Sequence, residues 1–196
     1  MPLDISPRSG CELRIAILVA LLLSTCSIWA GEEAAWAAMR EGRAVLLMRH
    51  ASAPGTGDPP GFVLGDCTTQ RNLDEAGRLQ AQRWGALLRK KGIDEPRLLS
   101  SRWCRALETA ELLGLAPVEP LPMLDSFFVQ ADRKSQQTEA LREFLGTLPA
   151  TPPVVLISHQ VNITALTGIF PRSGEALILA LPLKDRPQVL ARISPP

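Results

Sequence analysis

The sequence predicts an α/β fold. Short apolar runs that suit buried strands, such as 45–48 and 154–157, alternate along the chain with longer segments of helical character. This alternation is typical of strands and helices packed in layers. Apolar residues make up 46% of the chain, which is enough for a buried core, and the sequence contains no internal repeat.

Residues 1–30 are predicted to be a secretory signal peptide and not part of the fold. Arg8 and Arg14 precede the apolar stretch 15–23, which is short for a membrane span, and small residues follow it. Ala30 is the expected residue before the cleavage site. The rest of the chain is then one domain of ordinary size.

Two other interpretations of this leader stay open. Cys26 allows a lipoprotein signal, although Thr25 is a poor fit directly before it, and the apolar stretch allows an uncleaved membrane anchor. With the signal peptide removed, 31–196 is expected to be periplasmic or secreted, without stable membrane insertion. A net charge of +1 argues against a dedicated partner such as nucleic acid or an acidic membrane surface.

The domain is predicted to begin with a helix, a strand and a long loop. Residues 32–41, rich in Ala and Glu, suit a short helix that leads into the strand at 45–48. The segment 53–72 is rich in Gly and Pro and has no periodicity. Long loops in compact domains are usually functional or disordered, and we expect a functional loop because this one follows a strand end.

Helices and strands then follow each other to the end of the chain. Asp74 suits the N-cap of a helix that ends near Gly92, and 97–101 is the next predicted strand. The remaining predicted elements are, in order, a helix at 105–113, a strand at 118–121, helices at 135–148 and 161–167, and closing strands at 176–181 and 189–193.

The chain contains only two histidines, and both lie just after a predicted buried strand. His50 follows Arg49 at the end of the run 45–48, and His159 lies just beyond the run 154–157. Ligands of open α/β sheets bind beyond the carboxyl ends of the strands. One histidine at a strand end is usually structural, but two in equivalent positions predict a shared functional site.

Four short blocks resemble the histidine phosphatase superfamily, which has the phosphoglycerate-mutase-like fold. The segment 47–51 resembles the family's Arg-His-Gly signature, and 73–81 is similar to the start of its next helix. The segment 100–110 resembles the second signature block, and 156–159 resembles the last block, a strand that ends in Ser-His. The blocks occur in the family's order, so together they are far more specific than any one alone.

Two positions depart from the family's pattern. Ala51 and Gln160 each stand where the family often has glycine, directly after the two histidines. The resemblance implies a small exported bacterial member of branch 1. It also implies a three-layer α/β/α sandwich built around a mostly parallel central sheet.

The resemblance assigns catalytic roles to five residues. By the family's pattern, His50 attacks phosphorus and forms a phosphohistidine intermediate. Arg49, Arg105 and His159 are expected to hold the phosphate oxygens, and the start of a helix at Arg105 also favours phosphate. In related phosphatases a carboxylic acid after the third strand protonates the leaving oxygen, and Asp125 is the best-placed acid here. A structural capping aspartate is the alternative for Asp125.

Four further residues are candidates for substrate binding. Arg71 ends the long loop, and Arg102 lies where the second signature block begins its helix. Gln160 and Asn162 follow His159 at the start of the next predicted helix. A surface salt bridge is the alternative for Arg71, and a solvent-exposed position is the alternative for Arg102.

The predicted function is that of an exported phosphomonoesterase that uses no cofactor and no metal. Arginines supply the positive charge, and the cysteines and histidines have no metal-ligand spacing. The expected substrate is a small phosphorylated molecule, for example a sugar phosphate of the cell envelope. The alternatives are a phosphohistidine-protein phosphatase, a mutase, and a phospho-ligand binding protein without catalysis.

Two cysteines, Cys67 and Cys104, remain after the signal peptide. In an exported protein an even pair favours a disulfide, which here would pin the long loop against the second signature block. Two independent thiols are the alternative. A catalytic cysteine is not expected, because the chain has no Cys-x5-Arg phosphatase loop.

Overall fold

The computed structural model describes residues 31–196, so the predicted signal peptide lies outside the described residues. Residues 31–40 are helical and are called α1 here. The further helices are α2 (Glu75–Lys90), α3 (Cys104–Leu113), α4 (Lys134–Gly146) and α5 (Gln160–Thr167). The strands are β1 (Ala44–Arg49), β2 (Arg97–Ser100), β3 (Val118–Pro120), β4 (Val154–Ser158), β5 (Ala176–Ala180) and β6 (Val189–Ile193).

These strands form one six-stranded sheet in the order β3-β2-β4-β1-β5-β6. β1 and β2 are parallel to β4, and β3 is parallel to β2. β5 runs antiparallel to β1, and β6 antiparallel to β5. The predicted α/β fold with a mostly parallel sheet is confirmed, and the two closing strands supply the antiparallel edge.

The alternation of side chains along β1 explains the three layers. Leu46 and Met48 face a core formed with α1, α2 and α3, where Trp36 and Trp84 are fully buried. Val45 and Leu47 face the opposite core, formed with α4 and α5 through residues that include Leu141, Leu145, Ile163 and Leu166. Because both faces of β1 are buried, the strand is a continuous apolar run.

The parallel pairing of β1 with β4 brings the two histidines to the same edge of the sheet. Arg49 is in register with Ser158, so the next residue of each chain segment is a histidine. The backbone N–H of His50 donates to the carbonyl of Ser158 at 2.9 Å, which extends the pairing past the end of the strands. The predicted meeting of His50 and His159 therefore follows directly from strand order and register.

The start of α2 is packed tightly against the loop that leaves the first histidine. Asp74 is the N-cap, as predicted, and its Oδ1 accepts from the Gly77 N–H at 2.7 Å. A Cβ on Gly77 would lie 2.1 Å from the Ser52 carbonyl oxygen, so only glycine permits this approach. The helix thus fixes the path of the chain just beyond His50.

Within residues 31–196, no helix has both the length and the apolar character needed to cross a bilayer.

Candidate active site

His50 is buried at the end of β1 and is held as a neutral imidazole. Its Nδ1 lies 2.8 Å from the carbonyl oxygen of Ala51, so Nδ1–H donates to that carbonyl and Nε2 carries no proton. The Arg105 Nε–H donates to this free Nε2 at 3.3 Å. Burial, followed by the positive charge of Arg105, lowers the pKa of His50 well below 6.5. Nε2 is therefore available as a nucleophile.

His159 faces His50 across the site, with 5.4 Å between the ring centroids. The Ser101 hydroxyl donates to Asp125 Oδ1 at 3.3 Å and lies 2.7 Å from Nε2 of His159. Nδ1 of His159 is buried and has no hydrogen-bond partner in the protein. Burial is the main cause that lowers the pKa of His159 well below 6.5.

Asp125 supports this histidine from behind and does not line the cavity. Its Oδ1 accepts from the Arg102 N–H at 2.8 Å and lies 3.3 Å from the Ser101 hydroxyl. Its Oδ2 accepts from Nε and Nη2 of Arg102 at 2.8 and 2.6 Å. The carboxylate is therefore bound to Arg102 and reaches the cavity only through Ser101 and His159. Its role as proton donor stays a prediction.

Two arginines at the predicted positions reach the cavity. Arg49 donates from Nη1 to the carbonyl of Pro171 at 3.0 Å, whereas its buried Nε has no partner. Arg105, at the start of α3, is 2% exposed and sits between His50 and Asp58. Burial is the main cause that lowers the pKa of both guanidinium groups. Both positive charges are thus held in a poorly solvated place, where an anion is strongly favoured.

Asp58 is the site residue that the sequence analysis missed. It lies in the loop 53–72, and its side chain is 8% exposed. Its Oδ1 and Oδ2 accept from Nη1 and Nη2 of Arg105 at 2.6 and 3.2 Å, and Oδ2 also accepts from Trp103 Nε1–H at 3.0 Å. Burial raises the pKa of Asp58, but hydrogen bonds and the charge of Arg105 outweigh burial, so the pKa is lowered. The loop lacks periodicity, and only its position after His50 pointed to a function.

Arg71 holds the loop in place. Its Nε–H donates to the Gly57 carbonyl at 2.6 Å, its Nη1 bonds the Ala53 carbonyl, and its backbone N–H donates to Asp58 Oδ1 at 3.2 Å. Burial, with the charge of Arg105, lowers the pKa of Arg71 to about 10. The guanidinium lines the cavity, but its strongest contacts are with the loop backbone.

The other substrate-binding candidates differ in their position. Gln160 lines the cavity and donates from its amide to Thr164 Oγ1 at 2.9 Å. Asn162 is buried off the cavity wall, where its amide donates to the Asp125 carbonyl at 2.8 Å. Arg102 also lies off the wall, because its guanidinium is paired with Asp125. Substrate contacts by these residues stay predictions.

The cavity itself is small, about 170 Å³, and it opens to the surface. Polar groups line its floor, including His50, Arg105 and His159. The outer rim is apolar, with Phe128 and Phe170 exposed by 52% and 65%. A ligand that fills this space would place an anionic group on the floor and an uncharged portion against the rim.

The predicted disulfide between Cys67 and Cys104 is present, with the two Cα atoms 5.6 Å apart. It ties the end of the loop 53–72 to the first residue of α3, one residue before Arg105. The disulfide therefore fixes the position of the end of the loop relative to Arg105. In the part of the chain that the structure describes, no group of three or more His, Cys, Asp or Glu side chains is placed to hold a metal ion.

We expect the folded chain to lose stability as the pH falls below about 6.5, the ordinary pKa of histidine. His50 and His159 are neutral in the folded state because their pKa values are lowered well below 6.5. The unfolded chain then binds more protons, so each histidine lowers the free energy of unfolding by up to about 1.4 kcal/mol per pH unit. Urea unfolding between about pH 5 and 7 measures the slope, which His159→Asn should reduce.

A family model matches part of the chain. Residues 45–128 match the model of the histidine phosphatase superfamily (branch 1). The matched segment contains Arg49, His50, Asp58 and Arg105, whereas His159 lies beyond its end. No curated protein matches the chain.

Solved structures of phosphatases share the fold. The protein histidine phosphatase SixA, in complex with tungstate, is 20% identical, with a TM-score of 0.55 over 78% of this chain and 97% of that one. A mycobacterial glucosyl-3-phosphoglycerate phosphatase is 18% identical, with a TM-score of 0.52 over 75% and 96% of the two chains. The phosphoserine phosphatase of Entamoeba histolytica, in complex with 3-phosphoglyceric acid, is 15% identical, with a TM-score of 0.55 over 77% and 96%.

At these identities the solved structures show a common fold alone. The family model matches less than half of the chain, so residues 45–128 are similar to the histidine phosphatase superfamily (branch 1).

Proposed function

We propose that this protein is a metal-independent phosphomonoesterase that transfers a phosphoryl group to His50 and then to water. One observation carries the proposal. Two buried polar atoms, Arg49 Nε and His159 Nδ1, have no protein partner and lie on residues that line the same cavity as the unprotonated Nε2 of His50. Buried polar groups are almost always hydrogen-bonded, so such atoms beside a nucleophile favour an anion as the ligand of this cavity.

The charge of the cavity suits a phosphate dianion. Three guanidinium groups, those of Arg49, Arg71 and Arg105, line it together with the carboxylate of Asp58. The sum of these four charges is +2. Phosphoryl transfer needs a positioned nucleophile and positive charge around the equatorial oxygens, and it needs little covalent help beyond that. The guanidinium groups supply here the charge that a metal ion supplies in other phosphatases.

The proposed reaction has two steps. In the first, His50 Nε2 forms a bond to phosphorus while the bond from phosphorus to the leaving oxygen breaks. Arg105 and Arg49 donate hydrogen bonds to the non-bridging oxygens, and His159 lines the same cavity. In the second step, water attacks phosphorus and the bond to Nε2 breaks, which releases inorganic phosphate and restores neutral His50. Asp125 contacts Ser101, and Ser101 contacts Nε2 of His159, so both residues position this histidine.

The substrate that we propose is a small phosphorylated molecule. A cavity of about 170 Å³ holds a phosphoryl group and a few more atoms, so the remainder of the substrate lies at the rim. A sugar phosphate of the cell envelope satisfies this limit. A mutase role fits less well, because mutase substrates are cytoplasmic. A phosphohistidine protein is the second candidate, since the rim is exposed and SixA, a protein histidine phosphatase, shares the fold.

We also propose that the protein is exported to the periplasm or secreted. The predicted signal peptide and the disulfide between Cys67 and Cys104 support this location, because disulfides persist in oxidising compartments.

Hydrolysis of 4-nitrophenyl phosphate tests the proposal. We expect the purified protein to release nitrophenol at the same rate with and without EDTA, because the arginines need no metal. Loss of turnover in EDTA would contradict the metal-independent mechanism. Binding of phosphate without any turnover, over a series of phosphate esters, would favour the ligand-binding alternative. Faster turnover of a phosphohistidine protein than of esters would favour the second candidate.

A further inference from the structure

Asp58 is the one carboxylic acid on the cavity wall among the residues that the structure describes. Its side chain is 8% exposed, and both of its oxygens are bound to Arg105. The reaction proposed above needs a proton for the leaving oxygen. A general acid must lie within hydrogen-bond reach of the atom that it protonates.

We propose that Asp58, and not Asp125, donates the proton to the leaving oxygen. This inference rests on the proposed phosphatase function and adds a catalytic residue to it. Asp125 lies behind His159, off the cavity wall, and its carboxylate is bound to three N–H groups of Arg102. For Asp125 to protonate a substrate, that pairing would have to break.

Asp58 occupies the place on Arg105 that a phosphate needs. Its two oxygens bind the two terminal nitrogens of Arg105, as two phosphate oxygens do in a bidentate pair. The same guanidinium reaches Nε2 of His50 through Nε, at 3.3 Å. A dianionic phosphate that approaches this nucleophile therefore meets Asp58 on the same guanidinium and displaces it.

Displacement changes the state of the carboxyl group. On Arg105, hydrogen bonds and positive charge lower the pKa of Asp58. Beside a bound dianion, the same carboxylate has a negative neighbour, and a like charge favours the protonated acid. Asp58 then takes up one proton from solvent as the substrate binds. The protonated acid stays at the mouth of the cavity, where the leaving group lies.

Gly55 and Gly57, just before Asp58, have φ angles of 90° and 70°, which only glycine adopts readily. The far end of the loop is fixed by the disulfide from Cys67 to Cys104. The shift that we propose is therefore confined to the segment before the disulfide, and it also breaks the contacts of Asp58 with the Arg71 backbone N–H and the Trp103 indole N–H.

The Nε2 lone pair of His50 forms the N–P bond, the P–O bond to the leaving group breaks, and its electron pair stays on oxygen. That oxygen takes the proton from Asp58, which becomes a carboxylate. In the second step the Asp58 carboxylate accepts a proton from the attacking water. The product phosphate leaves, and Asp58 releases its proton to solvent and returns to Arg105 as a carboxylate.

Two aryl phosphates that differ in their leaving group test the proposal. Dinitrophenolate leaves without a proton, whereas phenolate needs one, so only phenyl phosphate depends on the acid. For Asp58→Asn, we expect the loss of kcat/KM to be at least about 30-fold larger with phenyl phosphate than with 2,4-dinitrophenyl phosphate. Because a misfolded fraction lowers both rates equally, the ratio is independent of the folding yield of the variant.

Asp125→Asn is the matched control. We expect it to slow both substrates by the same factor, because Asp125 positions His159 and donates no proton to the substrate. Asp58→Glu keeps a carboxyl group and should recover part of the selective loss. Equal losses for Asp58→Asn, or a selective loss for Asp125→Asn, would overturn the proposal. No turnover of dinitrophenyl phosphate by the unaltered protein would instead refute the phosphatase function itself.

Discussion

His50→Asn is expected to lower kcat by at least about 10⁴-fold, because removal of a nucleophile costs enzymes of this kind nearly all of their rate enhancement. Asparagine retains a hydrogen-bond donor of similar position but has no ring nitrogen to attack phosphorus. Arg49, Arg105 and His159 remain, so phosphate still binds. The loss therefore appears in kcat, while the inhibition constant of inorganic phosphate changes only a few-fold.

His159→Asn is the control for this variant, since the two histidines are equally buried and face each other. We expect it to slow turnover, but labelling from ³²P-phenyl phosphate followed by a denaturing quench should still trap phosphoprotein. His50→Asn should trap none. Labelling of His50→Asn, or loss of labelling only in His159→Asn, would show that His50 is not the nucleophile.

Arg105→Met is expected to have the second-largest effect, on turnover and on stability together. Loss of a transition-state arginine lowers kcat by about 10³-fold or more. The substitution also leaves the carboxylate of Asp58, which is 8% exposed, without its buried counter-ion. Breaking a buried pair in this way costs about 3 kcal/mol of the free energy of unfolding. Urea unfolding and the aryl phosphate assay measure the two effects separately.

A double variant separates these two causes. Arg105→Met with Asp58→Asn removes both charges, so we expect most of the lost stability to return while turnover stays low. Arg78→Met is the exposed counterpart, because Arg78 pairs with Glu108 at the same 2.6 Å but is 41% exposed. It should cost less than about 1 kcal/mol. If the double variant is no more stable than Arg105→Met alone, the ion pair is not the cause of the destabilisation.

Much of the fold was predictable because its signals are local. Apolar runs such as 154–157 mark strands that are buried on both faces. Asp74 and Gly92 mark the two ends of α2 by their hydrogen-bonding and backbone preferences. The antiparallel placement of β5 beside β1 depends on contacts between residues far apart in sequence. No local pattern in Ala176–Ala180 encodes that direction.

The site residues also fall into two groups, those with a local sequence signal and those that only the tertiary structure places. His50, Arg49 and His159 were predictable because they end strands, where side chains of neighbouring parallel strands converge. Asp58 was missed, since a Gly- and Pro-rich loop gives no indication of which side chain turns inward. The position of Asp125 after β3 was predictable from the sequence. Its pairing with Arg102, which follows β2, depends on how these two loops lie in space. Such contacts require the tertiary structure.

The residues of the site come from two separate parts of the fold, the sheet and the loop 53–72. The proposed nucleophile and its facing histidine come from the sheet, whereas one wall of the cavity comes from the loop 53–72. We expect substitutions, insertions or deletions in that loop to alter the shape of the cavity and to leave His50 in place, because they leave the sheet register unchanged. Because Asp58 lies in the same loop, we expect such changes to move the proposed proton donor as well. Under the proposed mechanism, substrate range and proton donation change together, whereas the nucleophile stays the same.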